Sequence, residues 1–167
     1  MPEKVSLSLT INGTLRTVRV PPEFTLVETL RTEAGLSGTK EGCGEGECGA
    51  CSVLLDGKLV NSCLVLAAEC DGAEVLTIEG LAEAGRLHPV QDAFVKNGAI
   101  QCGFCTPGMI MTCYALLQEN SSPTEEEIRR AFEGNLCRCT GYRKIVDAVG
   151  SAARALQNPG SSERGES

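Results

Sequence analysis

The stretch Gly42-Cys43-Gly44-Glu45-Gly46-Glu47-Cys48-Gly49-Ala50-Cys51 decides how the rest of the chain is read. Its cysteines have the spacing C-x4-C-x2-C, and a fourth, Cys63, follows after a short gap. This is the plant-type ligand run for a [2Fe-2S] cluster. A second set, Cys102, Cys105, Cys137 and Cys139, offers four more thiols as CxxC and CxC. The single histidine is His88, so neither set has an evident imidazole to borrow. All-thiolate coordination points to soft-metal chemistry, either iron-sulfur or zinc.

A cluster held by four thiolates is an anion whose potential depends on hydrogen bonds to sulfur and on burial. Gly42, Gly44, Gly46 and Gly49 are expected to let the loop from Lys40 to Cys51 fold back with positive φ, turning successive N–H groups toward the sulfurs as an anion-binding nest. The same residues, Gly44 to Gly49, match G-x-G-x-x-G. A dinucleotide loop is rejected: the preceding element reads as helical, Cys48 sits inside the match, and Glu45 and Glu47 would repel a pyrophosphate. In the second set, Cys102 and Cys105 fall at the start of one expected helix, and Cys137 and Cys139 just before another. Two helix N-termini can then face one anionic centre between helices. On spacing alone, structural zinc stays open for this set.

At 167 residues and 42% hydrophobic content, the chain can bury one substantial core or two small ones stapled by metal. Aromatics are 4% with no Trp, and the net charge is -7, which together argue against a nucleic-acid partner. Met1 to Thr10 lacks a charged start followed by a long apolar stretch, and no run approaches the ~20 apolar residues of a membrane span. The reading is a cytoplasmic protein with no membrane insertion, its cysteines carrying metal rather than a disulfide framework.

Val5, Leu7, Leu9 and Ile11 alternate with polar residues, Asn12-Gly13 follows, and Leu15 to Val20 resumes the pattern, which predicts an opening β-hairpin. After Pro21-Pro22, Thr25 caps a one-sided helix ending near Gly35. Ser52 to Leu55 and Lys58 to Val60 bracket Asp56-Gly57 as a second hairpin, and Glu74 to Ile78 supplies one more strand. This order resembles a β-grasp ferredoxin. From Leu87 onward the periodicity is helical. Helices are expected over Pro89 to Asn97, from Thr106-Pro107 with Thr106 as cap, from Ser122 or Thr124 to about Glu133, and over Tyr142 to Leu156. The fold class is therefore α+β, a β-grasp plant-type ferredoxin domain (1–81) followed by a four-helix bundle-like [2Fe-2S] domain (82–157), with the boundary between Gly80 and Leu87. The polar stretch 158–167 reads as a disordered tail.

Met109, Ile110, Cys113, Leu116 and Leu117 form one apolar stripe, read as core packing. Cys113 and Cys70 are expected to be small buried hydrophobes, His88 a surface or capping residue, and Glu125 to Glu127 a favourable first helical turn.

Three motifs carry a resemblance: Gly42 to Cys51 with Cys63; Gln101-Cys102-Gly103-Phe104-Cys105-Thr106-Pro107-Gly108; and Gly134-Asn135-Leu136-Cys137-Arg138-Cys139-Thr140-Gly141-Tyr142. From about Val5 to Leu156 the chain resembles the small iron-sulfur subunit of the molybdenum hydroxylases, the family of xanthine dehydrogenase, aldehyde oxidoreductase and carbon monoxide dehydrogenase. The resemblance implies two [2Fe-2S] clusters, the first (Cys43, Cys48, Cys51, Cys63) facing a flavin and the second (Cys102, Cys105, Cys137, Cys139) close to a molybdopterin. It implies that Gln101 and Cys139 approach the pterin. Partners would be a large molybdopterin-binding subunit, carrying the cytosine dinucleotide form, and a medium FAD-binding subunit, assembled as a dimer of heterotrimers. Electrons would run from molybdenum to flavin, with no substrate site on this chain. The wording around Cys63 and Cys102 leans toward xanthine dehydrogenase-like and other N-heterocycle or aromatic acyl-CoA enzymes. A zinc-stabilised interaction protein and a free-standing ferredoxin are the competing readings.

Overall fold

The computed structural model describes residues 3–158. The hairpin forms as expected: β1 (Val5–Ile11) pairs antiparallel with β2 (Thr14–Val20), and both turn residues, Asn12 (φ 51°) and Gly13 (φ 75°), are left-handed. That geometry matches the twist of a two-residue hairpin. Asn12 also ties down a distant strand end, donating from Nδ2 to Thr77 Oγ1 at 3.0 Å and accepting the Thr77 N–H at 2.9 Å. The capping box between Thr25 and Glu28 starts α1 (Leu26–Thr32), and the chain turns at Gly35 with φ 70°.

The second hairpin joins β3 (Ser52–Leu55) to β4 (Lys58–Asn61), and β5 (Glu74–Leu76) completes a five-stranded mixed sheet in the order β2-β1-β5-β3-β4. Only the β1–β5 pairing is parallel. The last strand ends two residues short of the expected Ile78, because Ile78–Gly80 closes into a 3-10 turn.

Four helices follow: α2 (Pro89–Lys96), α3 (Thr106–Glu119), α4 (Glu125–Ala131) and α5 (Arg143–Gln157). The chain is α+β, and its two main cores meet through the sheet. Leu7, Leu9, Ile11 and Val53 pack with Leu26 and Leu30 of α1, whereas Leu54 joins Phe94, Met109, Met111, Ile145 and Val149 of the helices. Strand β3 is thus covered on both faces, which is why Val53, Leu54 and Leu55 read as an unbroken apolar run rather than an alternation.

Three helix details differ from expectation. Cys105, not Thr106, is the N-cap of α3, since its carbonyl already accepts the Met109 N–H at 3.0 Å; Pro107 occupies the first turn. Burial on α3 is broader than a stripe: Gly108 to Cys113 are all buried, because sheet, loop and helices surround that half, while Leu116 is only half-buried. Tyr142 lies outside α5 as its cap, with φ 68°. The expected tail begins at Asn158, which caps α5, and its remainder, 159–167, lies outside the described residues.

Candidate metal centres

The loop between α1 and β3 carries the first three cysteines and is held at both ends. Arg31 donates to the carbonyls of Ser37 (3.0 Å) and Thr39 (2.7 Å), and the Lys40 N–H reaches the Ala50 carbonyl at 3.2 Å. Gly44, Gly46 and Gly49 have φ of 70°, 78° and 66°, as the nest requires. Gly42 does not; its reason is space, since a Cβ there would stand 2.9 Å from Cys48 Sγ and 3.5 Å from the Phe104 ring. The nest is visible in its effect: the amides of Glu45, Cys48 and Glu47 draw the Cys43 thiol down to about 7. The Glu45 N–H lies 3.4 Å from Cys43 Sγ.

Cys63 arrives from beyond β4 and lies with Cys51 under Val27 of α1. Its position is fixed by Ser62, which donates from N (3.3 Å) and Oγ (2.6 Å) to the Cys51 carbonyl. Burial, and then the Cys51 thiol beside it, push Cys63 up to about 11. The four thiols come as two touching pairs, Cys43 with Cys48 and Cys51 with Cys63, and Cys63 also senses Cys43.

The second set has the same two-by-two form. Cys105 touches Cys137, and Cys102 touches Cys139, with further coupling between Cys102 and Cys105 and between Cys137 and Cys139. The Cys105–Cys137 pair is half-buried and the Cys102–Cys139 pair exposed, with Gln101 exposed beside it. Burial, then Cys137, raise Cys105 to about 12. At Cys137 burial works against ionisation, but the hydroxyl and amide of Thr140, the Cys139 amide and the Cys105 thiol outweigh it and hold the thiol below its ordinary value.

All eight sequence-selected cysteines therefore fall in two groups, and Cys70 and Cys113 in neither. No three His, Cys, Asp or Glu side chains converge as a single-ion site among the described residues. Four thiols gathered as two pairs fit the four-cysteine ligand set of a [2Fe-2S] cluster. His88 caps α2, its Nδ1 accepting the Val90 N–H at 3.2 Å, and its ring stands edge-on to Tyr114 at 5.3 Å.

Sequence reading missed the residues that bring the two sets together. Gly108 of α3 sits directly on the Gly49 carbonyl, and a Cβ on Gly49 would meet the Asn135 amide and the Gly134 carbonyl. Asn135 is 5% exposed; it accepts the Thr112 hydroxyl at 2.9 Å and donates to the Gly49 carbonyl at 3.3 Å. The neighbouring Leu136 N–H donates to the Cys48 carbonyl at 2.9 Å. Tyr142 completes this wall, its hydroxyl accepting the Cys137 N–H at 2.7 Å and donating to the Asn135 carbonyl at 3.1 Å. Asn135 and Tyr142 stand in the motif Gly134 to Tyr142 that carries the resemblance, but nothing in the sequence told what they would touch.

Known proteins match along almost the whole chain. The family described as "2Fe-2S iron-sulfur cluster binding domain" matches residues 9–82, and the "[2Fe-2S] binding domain" family matches residues 77–150. The chain is 51% identical over 149 residues to the xanthine dehydrogenase iron-sulfur-binding subunit of Escherichia coli O157:H7, covering 88% of this chain and 93% of that protein. It is 48% identical over 155 residues to the nicotinate dehydrogenase small FeS subunit of Eubacterium barkeri, covering 93% and 99%. The crystal structure of quinoline 2-oxidoreductase from Pseudomonas putida 86 superposes with a TM-score of 0.90 at 44% identity, covering 93% of this chain and 97% of the matched one. Two [2Fe-2S]-binding regions in one chain set aside the zinc reading. The chain belongs to the small [2Fe-2S] iron-sulfur subunits of the molybdenum hydroxylases, a component of an oxidoreductase complex.

Proposed function

We propose that this chain is the internal electron conduit of a heteromeric molybdenum hydroxylase, taking electrons from a molybdopterin centre on a large subunit and delivering them to FAD on a medium subunit. The observation that carries this reading is the bond from the Leu136 N–H to the Cys48 carbonyl, which links the two thiol sets through backbone alone. Each cluster, when bound, supplies a one-electron site. Cys43, Cys48, Cys51 and Cys63 hold the first within residues 1–81, and Cys102, Cys105, Cys137 and Cys139 hold the second within 82–157, a division supported by family matches that meet between 77 and 82.

The outer pair, Cys102 and Cys139, with Gln101, is the face offered to the pterin cofactor, in its cytosine dinucleotide form; exposure of all three supports this. Gln101 orients and contacts the cofactor while Cys139 serves as the ligand on the side where electrons enter. The first set faces the flavin subunit, where Leu64 is 63% exposed beside Gly46 and is covered on assembly. Half-exposed Phe104 and Leu136 lie beside the link between the sets and shield it from water once partners dock. The complex is a dimer of heterotrimers located in the cytoplasm. No helix among the described residues is long and apolar enough to cross a membrane.

The substrate is an N-heterocycle bound on the large subunit. The relatives named for nicotinate, xanthine and quinoline support that class. Purification under native conditions tests the whole reading: flavin- and molybdenum-bearing chains should copurify, and the complex should oxidise N-heterocycles. A free-standing ferredoxin would isolate alone.

A further inference from the structure

The hydroxyl of Thr140 lies 3.0 Å from Cys137 Sγ, and its amide lies 3.4 Å from the same sulfur. Among the described residues this is the one hydroxyl donated to any of the eight paired sulfurs. The hydrogen has a fixed direction. Thr140 Oγ1 accepts the Tyr142 N–H at 3.3 Å, which engages an oxygen lone pair and leaves its own hydrogen aimed at Cys137. Gly141, with φ 66°, turns that peptide back toward Thr140, and Tyr142 itself holds a left-handed backbone, φ 68°, uncommon for a residue with a side chain. Its hydroxyl offsets the strain by bonding the Cys137 N–H and the Asn135 carbonyl. Cys137 is thereby gripped at its nitrogen and its sulfur from one short turn.

We propose that Thr140 is the potential-setting residue of the second cluster, acting through Cys137, and that it directs the added electron to the iron held by Cys105 and Cys137. This rests on the reading of Cys102, Cys105, Cys137 and Cys139 as one cluster's ligands. Reduction adds one electron, from a one-electron donor, to a centre that is already anionic; no bond forms or breaks and no proton moves. A donor on a ligand sulfur stabilises that extra charge, and the stabilisation is greatest at the iron bearing that sulfur. Among the described residues the outer pair, Cys102 and Cys139, receives no hydroxyl, so two irons held here would be inequivalent. The favoured iron is also the one next to Leu136 and its bond to the Cys48 carbonyl. The electron therefore rests on the side from which it leaves toward the first cluster.

The test is a redox titration of the purified complex followed by electron paramagnetic resonance, comparing wild type with Thr140→Val and Thr140→Ser. In Thr140→Val the reduced-to-oxidised ratio of the second cluster at the wild-type midpoint should fall about tenfold, the size of one charge-assisted hydrogen bond. The first cluster's midpoint should not move, and Thr140→Ser should restore the second. An unchanged midpoint in Thr140→Val with both signals present overturns the proposal. If Thr140→Val fails to assemble, Thr140→Ala decides in the same titration, since it too lacks the hydroxyl and keeps the amide at 3.4 Å: the second midpoint should fall, and an unchanged one overturns the proposal. Failure of the underlying ligand reading looks different, because wild type would then lack a second cluster signal altogether.

Discussion

The backbone N–H of Leu136 donates to the carbonyl of Cys48 at 2.9 Å, so the residue preceding Cys137 is bonded to a cysteine of the other set. The shortest path from Cys48 to Cys137 therefore crosses this one hydrogen bond and otherwise follows covalent backbone, with the Asn135–Gly49 bond beside it. Replacing Leu136 by proline removes the donor while leaving every cysteine in place. Both cluster signals should survive, and electron equilibration between them, followed after rapid photoreduction, should slow. A rate equal to wild type would mean that electrons take another route.

Close backbone approach holds the link in register. Gly108→Ala places a methyl against the Gly49 carbonyl, where neither α3 nor the loop can yield without separating. The expected cost is about 1–3 kcal/mol of stability, as for other overpacked contacts. Chemical denaturation of the holo-protein would measure it, and an unperturbed midpoint would show that the loop moves aside freely.

Asn135→Ala should cost a similar amount for a different reason. The Thr112 hydroxyl would lose its acceptor in a buried site, a penalty of about 1–3 kcal/mol, whereas the Gly49 carbonyl keeps the Ser52 N–H and hydroxyl. Replacing Thr112 by Val in the same protein should recover part of the loss, a non-additivity that a double-mutant cycle reads directly.

The α4 capping box supplies a pH-dependent control. The amide and hydroxyl of Thr124 hold the Glu127 carboxyl below the usual Glu range. A depressed carboxyl stabilises the fold above its unfolded value, and that contribution is lost as pH falls through the folded one. Glu127→Gln should therefore be less stable than wild type near neutral pH and indistinguishable from it in acid, with both cluster signals unaffected. A stability gap that persists at low pH would contradict the capping role.

Local chemistry was readable from the sequence and long-range contact was not. Asn12-Gly13 and Asp56-Gly57 predict their hairpins because both residues of each pair must adopt positive φ, and they do. Thr25 and Thr124 predict helix starts through Glu partners three residues on, and both boxes form. The cysteine spacings likewise predict which thiols gather. The pairing of Gly49 with Asn135, 86 positions apart, has no periodicity or turn signal to betray it. The same holds for Asn12 with Thr77, which fixes the end of β5 early. Gly42 shows the limit within a single motif: glycine was rightly expected to matter there, but for room beside Cys48 rather than for a left-handed turn.

Independent ligation is the next consequence. Cys48→Ser should abolish the first cluster's signal and leave the second, while Cys102→Ser should do the reverse and alter the neighbouring pterin's spectrum. Loss of both signals in either variant would contradict two separate centres.

The most direct measurement is iron and sulfide analysis of the purified complex, combined with electron paramagnetic resonance under stepwise reduction. Two [2Fe-2S] regions predict four irons and four sulfides per chain, with two distinct one-electron signals that split each other magnetically when both centres are reduced. Zinc in place of iron, or a single signal accounting for all the iron, would contradict the account.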